Sequence, residues 1–261
     1  VLILRRPGRT IFTHRTQQMI DYAELKSEYA RLWASLEISP DKRELVMRIA
    51  RKLMRHKTQY LAVEAATGVP WFVIAALHNR ESDADFATYL GNGEPLGRKT
   101  TLVPKGRGPF ESWEVGAADA LALDGLDRVN SWSPERACFE IEKFNGFGYR
   151  KRGVHSPYLW SFSNHYARGK YVADGRFSAT AVDEQCGAIP ILKAIMELDG
   201  SARFKTNTLP ATKPVTITTI LGGILGILAH VFGVSPDTIA IIFIGAFILA
   251  AIVYAFIRIR P

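Results

Sequence analysis

Two apolar runs toward the C-terminal end, 215–233 and 238–257, constrain this chain more than any other feature. Across 215–257 there is no Lys, Arg or Glu, and Asp237 is the only acid. As a helix, each run is long enough to cross a hydrocarbon core of ~30 Å. Val234-Ser235-Pro236-Asp237 separates them as a turn, and Gly222, Gly223 and Gly226 would let the two helices approach closely. Two helices of a soluble core would have to be buried on every face along their whole length, so a transmembrane hairpin over 215–257 is expected instead. Arg203, Lys205 and Lys213 precede it and Arg258 and Arg260 follow it, which places both flanks on the cytoplasmic side. Residues 201–214 are polar, contain Pro210 and Pro214, and read as a linker.

Without the hairpin, the charge is concentrated. Residues 1–214 hold 31 of the 33 basic side chains and 24 of the 25 acids, so nearly all of the net +8 lies there. A basic domain favours polyanions: nucleic acid, anionic lipid or an anionic wall polymer. The apolar fraction of 48% against 22% charged excludes disorder as the main state, and 261 residues suffice for one sizeable domain plus an appendage. Cys138 and Cys186 form no CxxC pair and are expected as buried free thiols. In residues 1–7 a four-residue apolar run precedes Arg5 and Arg6, the reverse of a signal peptide, so no export from this end is expected.

The remaining pattern is helical. Met19, Ile20, Tyr22, Leu25, Tyr29, Leu32 and Leu36 repeat at helical spacing over 17–36. Ser39-Pro40-Asp41 reads as a cap followed by a first-turn proline, and a basic amphipathic helix follows, which serves either a polyanion or simply solvent. Residues 71–80 are apolar almost throughout, as in a buried central helix. The Gly- and Pro-rich stretch 84–110 predicts a small β-hairpin or irregular lobe. Further helices are expected over 112–123, 133–144 (capped by Ser133-Pro134) and 189–198, with 145–180 as loop and short helices. The expected fold class is mainly α. The divisions are an N-terminal helical segment 1–60, a helical domain 61–200 with a small β or irregular lobe, the linker 201–214 and the hairpin 215–257.

Glu81 is the leading chemical candidate. It ends the apolar helix in Ala76-Leu77-His78-Asn79-Arg80-Glu81-Ser82. An acid delivered into a partly apolar cleft has its pKa raised and can protonate a leaving oxygen, as glycosidic cleavage requires. A helix-end partner or an ion pair with Arg80 is the alternative on the residues alone.

An apolar helix ending in Glu81-Ser82, then a Gly-rich lobe, then a helix running into Phe144-Asn145-Gly146-Phe147-Gly148-Tyr149, resembles the lysozyme-like superfamily, in particular lytic transglycosylases and phage-type muramidases. Ser156-Pro157-Tyr158-Leu159-Trp160-Ser161 and Gly169-Lys170-Tyr171-Val172-Ala173-Asp174-Gly175 resemble a bacterial and phage group of it. The resemblance covers roughly 70–180. It implies Glu81 as catalytic acid and Asn145 as a cleft residue. It also implies a second carboxylate followed six residues later by a Thr, which Glu94 and Thr100 match, although the gap from Glu81 is longer than in phage enzymes. Glu94 would then stabilise the sugar cation or activate water that Thr100 positions. Otherwise Glu94 is a turn residue, and Glu81 alone fits a transglycosylase. His78, Asn92, Asn145, Tyr149, Tyr158 and Trp160 are the candidate glycan contacts, with core packing as the alternative for Trp160 and a structural histidine as that for His78.

The function expected is a peptidoglycan glycosidase of endolysin type. It would cleave the β-1,4 bond between N-acetylmuramic acid and N-acetylglucosamine, anchored in a bacterial inner membrane by the hairpin, whose helices can self-associate. The alternatives are a lytic transglycosylase and a non-catalytic wall-binding module on a holin-like membrane element. There is no HExxH, CxxC, P-loop or nucleotide-binding glycine pattern, so neither metal nor cofactor is expected, and nucleic acid is not the expected partner.

Overall fold

The computed structural model describes residues 20–173 and 175–204, and these are mainly helical, as expected. The chain divides into two units, 1–206 and 207–261, and the second lies outside the described residues, as do most of the expected linker and the whole hairpin. Among the described residues no single helix is long and apolar enough to cross a membrane.

Helix α1 (Tyr22–Ala34) starts where the Asp21 carboxylate accepts the Ala23 amide, and it buries Tyr29 and Leu32. Helix α2 (Arg43–Met54) buries Val46, Met47, Ala50 and Leu53 on one stripe. It begins later than Ser39-Pro40 predicts. The Lys42 and Arg43 amides bond the Ser39 and Pro40 carbonyls three residues back (2.9 and 3.4 Å), and Ile38 bridges to Ser163, so residues 39–42 form a turn ahead of the helix. Helix α3 (Lys57–Thr67) stops at Gly68 in the left-handed region (φ 73°), which an L side chain resists.

The Glu64 carboxylate accepts the Trp71 amide (3.0 Å) at the first turn of helix α4 (Trp71–Ser82). The nine residues from Trp71 through Asn79 are all buried, the enclosed helix that the unbroken apolar run predicts. Helix α5 (Trp113–Leu123) and helix α6 (Pro134–Asn145) are capped by the hydroxyls of Ser112 and Ser133, the latter with Pro134 in the first turn as expected. A short α7 (Pro157–Trp160) and α8 (Ala188–Leu198) complete the helices.

Helix α4 packs on α3 and α8, α3 also on α5, α2 on α8, and α1 on α6. Residue 60 is therefore no boundary: α1 and α2 close the same core as α4 and α8. The same correction applies to the start of the linker, since Ala202 is buried and Phe204 packs edge-on against Trp33 and Phe72. Cys138 and Cys186 are free and buried.

The β structure lies elsewhere than the glycine pattern suggests. In 84–110 the only pairing is an isolated bridge between Thr88 and Pro95, which leaves an irregular lobe. The one hairpin among the described residues is β1 (Lys170–Ala173) against β2 (Arg176–Ser178), with Tyr171 opposite Phe177. Strands of four and three residues are too short to display an alternating pattern.

Candidate active site

Helix α4 emerges from the core only at its last turn, and this brings Arg80 and Glu81 to the edge of the apolar interior. The Tyr158 hydroxyl, from α7, donates to Glu81 Oε1 at 2.5 Å. Tyr158 is itself buried, and the Arg80 guanidinium lies over its ring, 4.8 Å from the centroid. Arg80 Nη1 donates to Asp183 Oδ2 (3.1 Å) and to the Cys186 carbonyl (3.2 Å). The other oxygen of Asp183 accepts from Lys170 Nζ on β1 at 2.8 Å. The side chains of Arg80 and Asp183 are each only 7% exposed, so the pair is an interior one. Removing either member would strand a buried charge, at a cost of about 3–5 kcal/mol.

Asp183 is fixed through its backbone as well. Its amide donates to the Tyr166 hydroxyl (3.1 Å) and its carbonyl accepts from Ser161 Oγ (3.1 Å). Segments from α4, α7, β1 and the approach to α8 thus converge on one chain of contacts, Lys170–Asp183–Arg80–Tyr158–Glu81. Tyr149 docks the hairpin beside it. Its hydroxyl accepts the Tyr171 amide, and its ring meets Tyr171 and Phe177 at 5.1 and 6.5 Å. Burial, with the Asp183 carboxylate adding to it, pushes the Tyr149 hydroxyl up to about 12.

The lobe residues have different work. Glu94 is buried, and its carboxylate accepts from the amides of Thr101 and Leu102 (2.9 and 2.8 Å), the Thr101 hydroxyl (2.7 Å) and the Asn92 side chain (3.1 Å). Burial pushes this carboxyl up, but the bonds from Leu102 and Thr101, with Arg98 nearby, outweigh it and hold the group below its ordinary value. Thr100 donates to the Pro104 carbonyl and accepts the Arg107 amide. Glu94, Asn92 and Thr100 thus brace their own loop, and each of these bonds runs within residues 92–107. The lobe does abut the end of α4: a Cβ on Gly93 would lie 3.9 Å from the Glu81 carbonyl oxygen.

Three expected glycan contacts are buried in the interior: Tyr158, described above, His78 and Trp160. His78 is fully buried, with Nδ1 on the Tyr60 hydroxyl (3.1 Å), Nε2 on the Asp85 carbonyl (3.2 Å) and its ring 4.3 Å from that of Trp113. Burial lowers it to about 4, so it is neutral at physiological pH. Trp160 is 1% exposed and cannot lie against a sugar. Asn145 is half-buried at the end of α6, where the chain turns at Gly146 (φ 95°).

Of the expected site residues, the structure joins Glu81 to Tyr158 and sets Tyr149 near Arg80 and Asp183. Sequence reading missed Arg80 as a ring-facing cation, Lys170, Tyr166 and Asp183. The only available signal was the adjacency of Arg80 to Glu81, because Asp183 lies 103 positions from its partner. Among the described residues no group of three or more His, Cys, Asp and Glu side chains could hold a metal ion. No protein-family model, curated protein or solved structure matches this chain.

Proposed function

We propose that this chain is a peptidoglycan glycosidase in which Glu81 is the proton donor. The observation that carries the reading is the placement of Glu81 at the single emergent turn of an otherwise enclosed helix, with its carboxyl held by a buried phenol. In the reaction Glu81 gives its proton to the glycosidic oxygen between N-acetylmuramic acid and N-acetylglucosamine, and the anomeric C–O bond breaks with its electron pair passing to that oxygen. The resulting Glu81 carboxylate then takes a proton from the nucleophile that captures the sugar cation. The basic character of 1–214 suits an anionic wall, and the expected hairpin 215–257 would tether the enzyme to the inner membrane.

The nucleophile is either water or the 6-hydroxyl of the muramic acid itself. The engagement of the Glu94 carboxylate by four donors of its own loop favours the second, in which Glu81 acts alone as acid and then base and the product is a 1,6-anhydro sugar. The test is digestion of purified peptidoglycan by the full chain in detergent, as wild type and Glu81→Gln, with mass analysis of the released muropeptides. Release should fall by about 10²–10⁴-fold in the variant. Anhydro ends identify the transglycosylase, and reducing ends the hydrolase. No release from the wild type overturns the enzyme reading in favour of a wall-binding module.

A further inference from the structure

The contacts around Asp183 form a chain with a direction. Asp183 is held at its amide by Tyr166, at its carbonyl by Ser161 and at Oδ1 by Lys170, so its Oδ2 is presented to Arg80 from a fixed point. Arg80 is further tied to the Cys186 carbonyl, and the plane of its guanidinium is left to lie over the Tyr158 ring. A cation over the ring face draws electron density from the phenol and strengthens its hydroxyl as a donor. That hydroxyl is the one on Glu81 Oε1.

From this geometry we infer that Asp183, with Lys170, is a positioning residue: it holds Arg80 across the Tyr158 ring and so fixes the phenol on the Glu81 carboxyl. The inference rests on the glycosidase reading for its consequence in catalysis, but not for its geometry. Asp183 touches no reacting atom in this scheme, and its whole effect passes through Arg80 and Tyr158. The charged and titratable groups that face this chain are Lys170 from β1, Tyr149 from the turn after α6, Tyr166 from the segment after α7 and the Cys186 thiol from the approach to α8.

A double-mutant cycle tests it: Asp183→Asn, Tyr158→Phe and the pair, in the full chain in detergent. Each variant is checked for folding by thermal unfolding. Two readouts are taken. One is kcat and KM on peptidoglycan across pH. The other is titration of the Glu81 carboxyl carbon by NMR, assigned by its absence in Glu81→Gln. Asp183→Asn should lower kcat by ten-fold or more with KM nearly unchanged, and displace both the Glu81 titration and the pH–rate limb that follows it. In the Tyr158→Phe background the same substitution should change kcat by less than about two-fold and leave the titration in place. Effects that simply multiply, or a Glu81 titration indifferent to Asp183→Asn, overturn the inference. If the wild type releases no muropeptide, the glycosidase reading falls and the titration cycle alone still decides the role of Asp183. Lys170→Met, which keeps the stem and removes the charge, should reproduce a weaker form of the same displacement, and no effect from it would count against Lys170 as the second tether.

Discussion

Replacing Glu94 by Gln removes the charge on which two backbone amides, a hydroxyl and a side-chain amide converge. Hydrogen bonds to an ionised acceptor contribute about 1.5–3 kcal/mol, so Glu94→Gln should lower the unfolding free energy by that order, read by chemical denaturation at pH 7. The sign with pH follows from a carboxyl held below its ordinary value. Its stabilisation is complete above the unfolded value near 4.3 and is lost as pH falls through the folded one, so wild type and variant should converge in acid. Under the lone-carboxylate mechanism, folded Glu94→Gln should retain cleavage within about ten-fold, whereas a water-activating Glu94 would cost two or more orders of magnitude. Glu81 was legible in the sequence because a long apolar run that ends in an acid has only one way to place it. For Glu94 and Thr100 only the spacing was legible, and spacing along a loop does not say that the loop amides close over the carboxylate. Asp183 and Lys170 were invisible because their significance is a contact between distant segments.

The relations between elements carry similar lessons. Gly187, just before α8, has an ordinary φ of −63°, yet a Cβ there would lie 2.4 Å from the Leu159 carbonyl oxygen. The backbone of α7 therefore approaches α8 more closely than any side chain allows, and Gly187→Ala should destabilise by about 1–3 kcal/mol in thermal or urea unfolding. A second joint links α1 and α6. The buried Glu142 accepts from Tyr29 (2.5 Å) and Arg150 (2.9 Å), and Arg150 also bonds Glu28. Burial pushes the Glu142 carboxyl up, so its ionised form depends on Arg150. Arg150→Met should cost about 3–5 kcal/mol in the same assay, and adding Glu142→Gln should recover part of it. Helices α4 and α6 were readable from apolar runs and caps, since both are local. The late start of α2 and the β1–β2 hairpin were not. The first goes with a bridge from Ile38 to the distant Ser163, and the second with packing of Tyr171 and Phe177 against Tyr149.

For the whole molecule, His78 sets an acid limit. A neutral imidazole held at about 4, against about 6.5 when unfolded, means that the unfolded chain binds the extra proton first as pH falls. Its contribution is therefore intact above about 6.5 and is withdrawn between there and 4, by an amount on the order of 3 kcal/mol at most. Denaturation from pH 7.5 to 4.5 should show this slope, and His78→Gln should flatten it, whatever its stability at pH 7. At the opposite extreme of scale, the net charge of +8 predicts that any association with the wall, as the glycosidase reading requires, is electrostatic. Co-sedimentation of Glu81→Gln with purified peptidoglycan should weaken markedly between about 50 and 200 mM salt. A salt-indifferent interaction would assign it to sugar stacking instead.

The same buried imidazole has an optical consequence. It lies tilted against the indole of Trp113, with 4.3 Å between ring centres and 33° between planes, inside a cage completed by Tyr60 and Phe86. A protonated imidazole quenches indole emission where a neutral one does so far less. The Trp113 contribution, isolated by difference against Trp113→Phe, is therefore a built-in light meter. It stays bright while the cage remains dry and dims as the cage opens and the imidazole takes its proton.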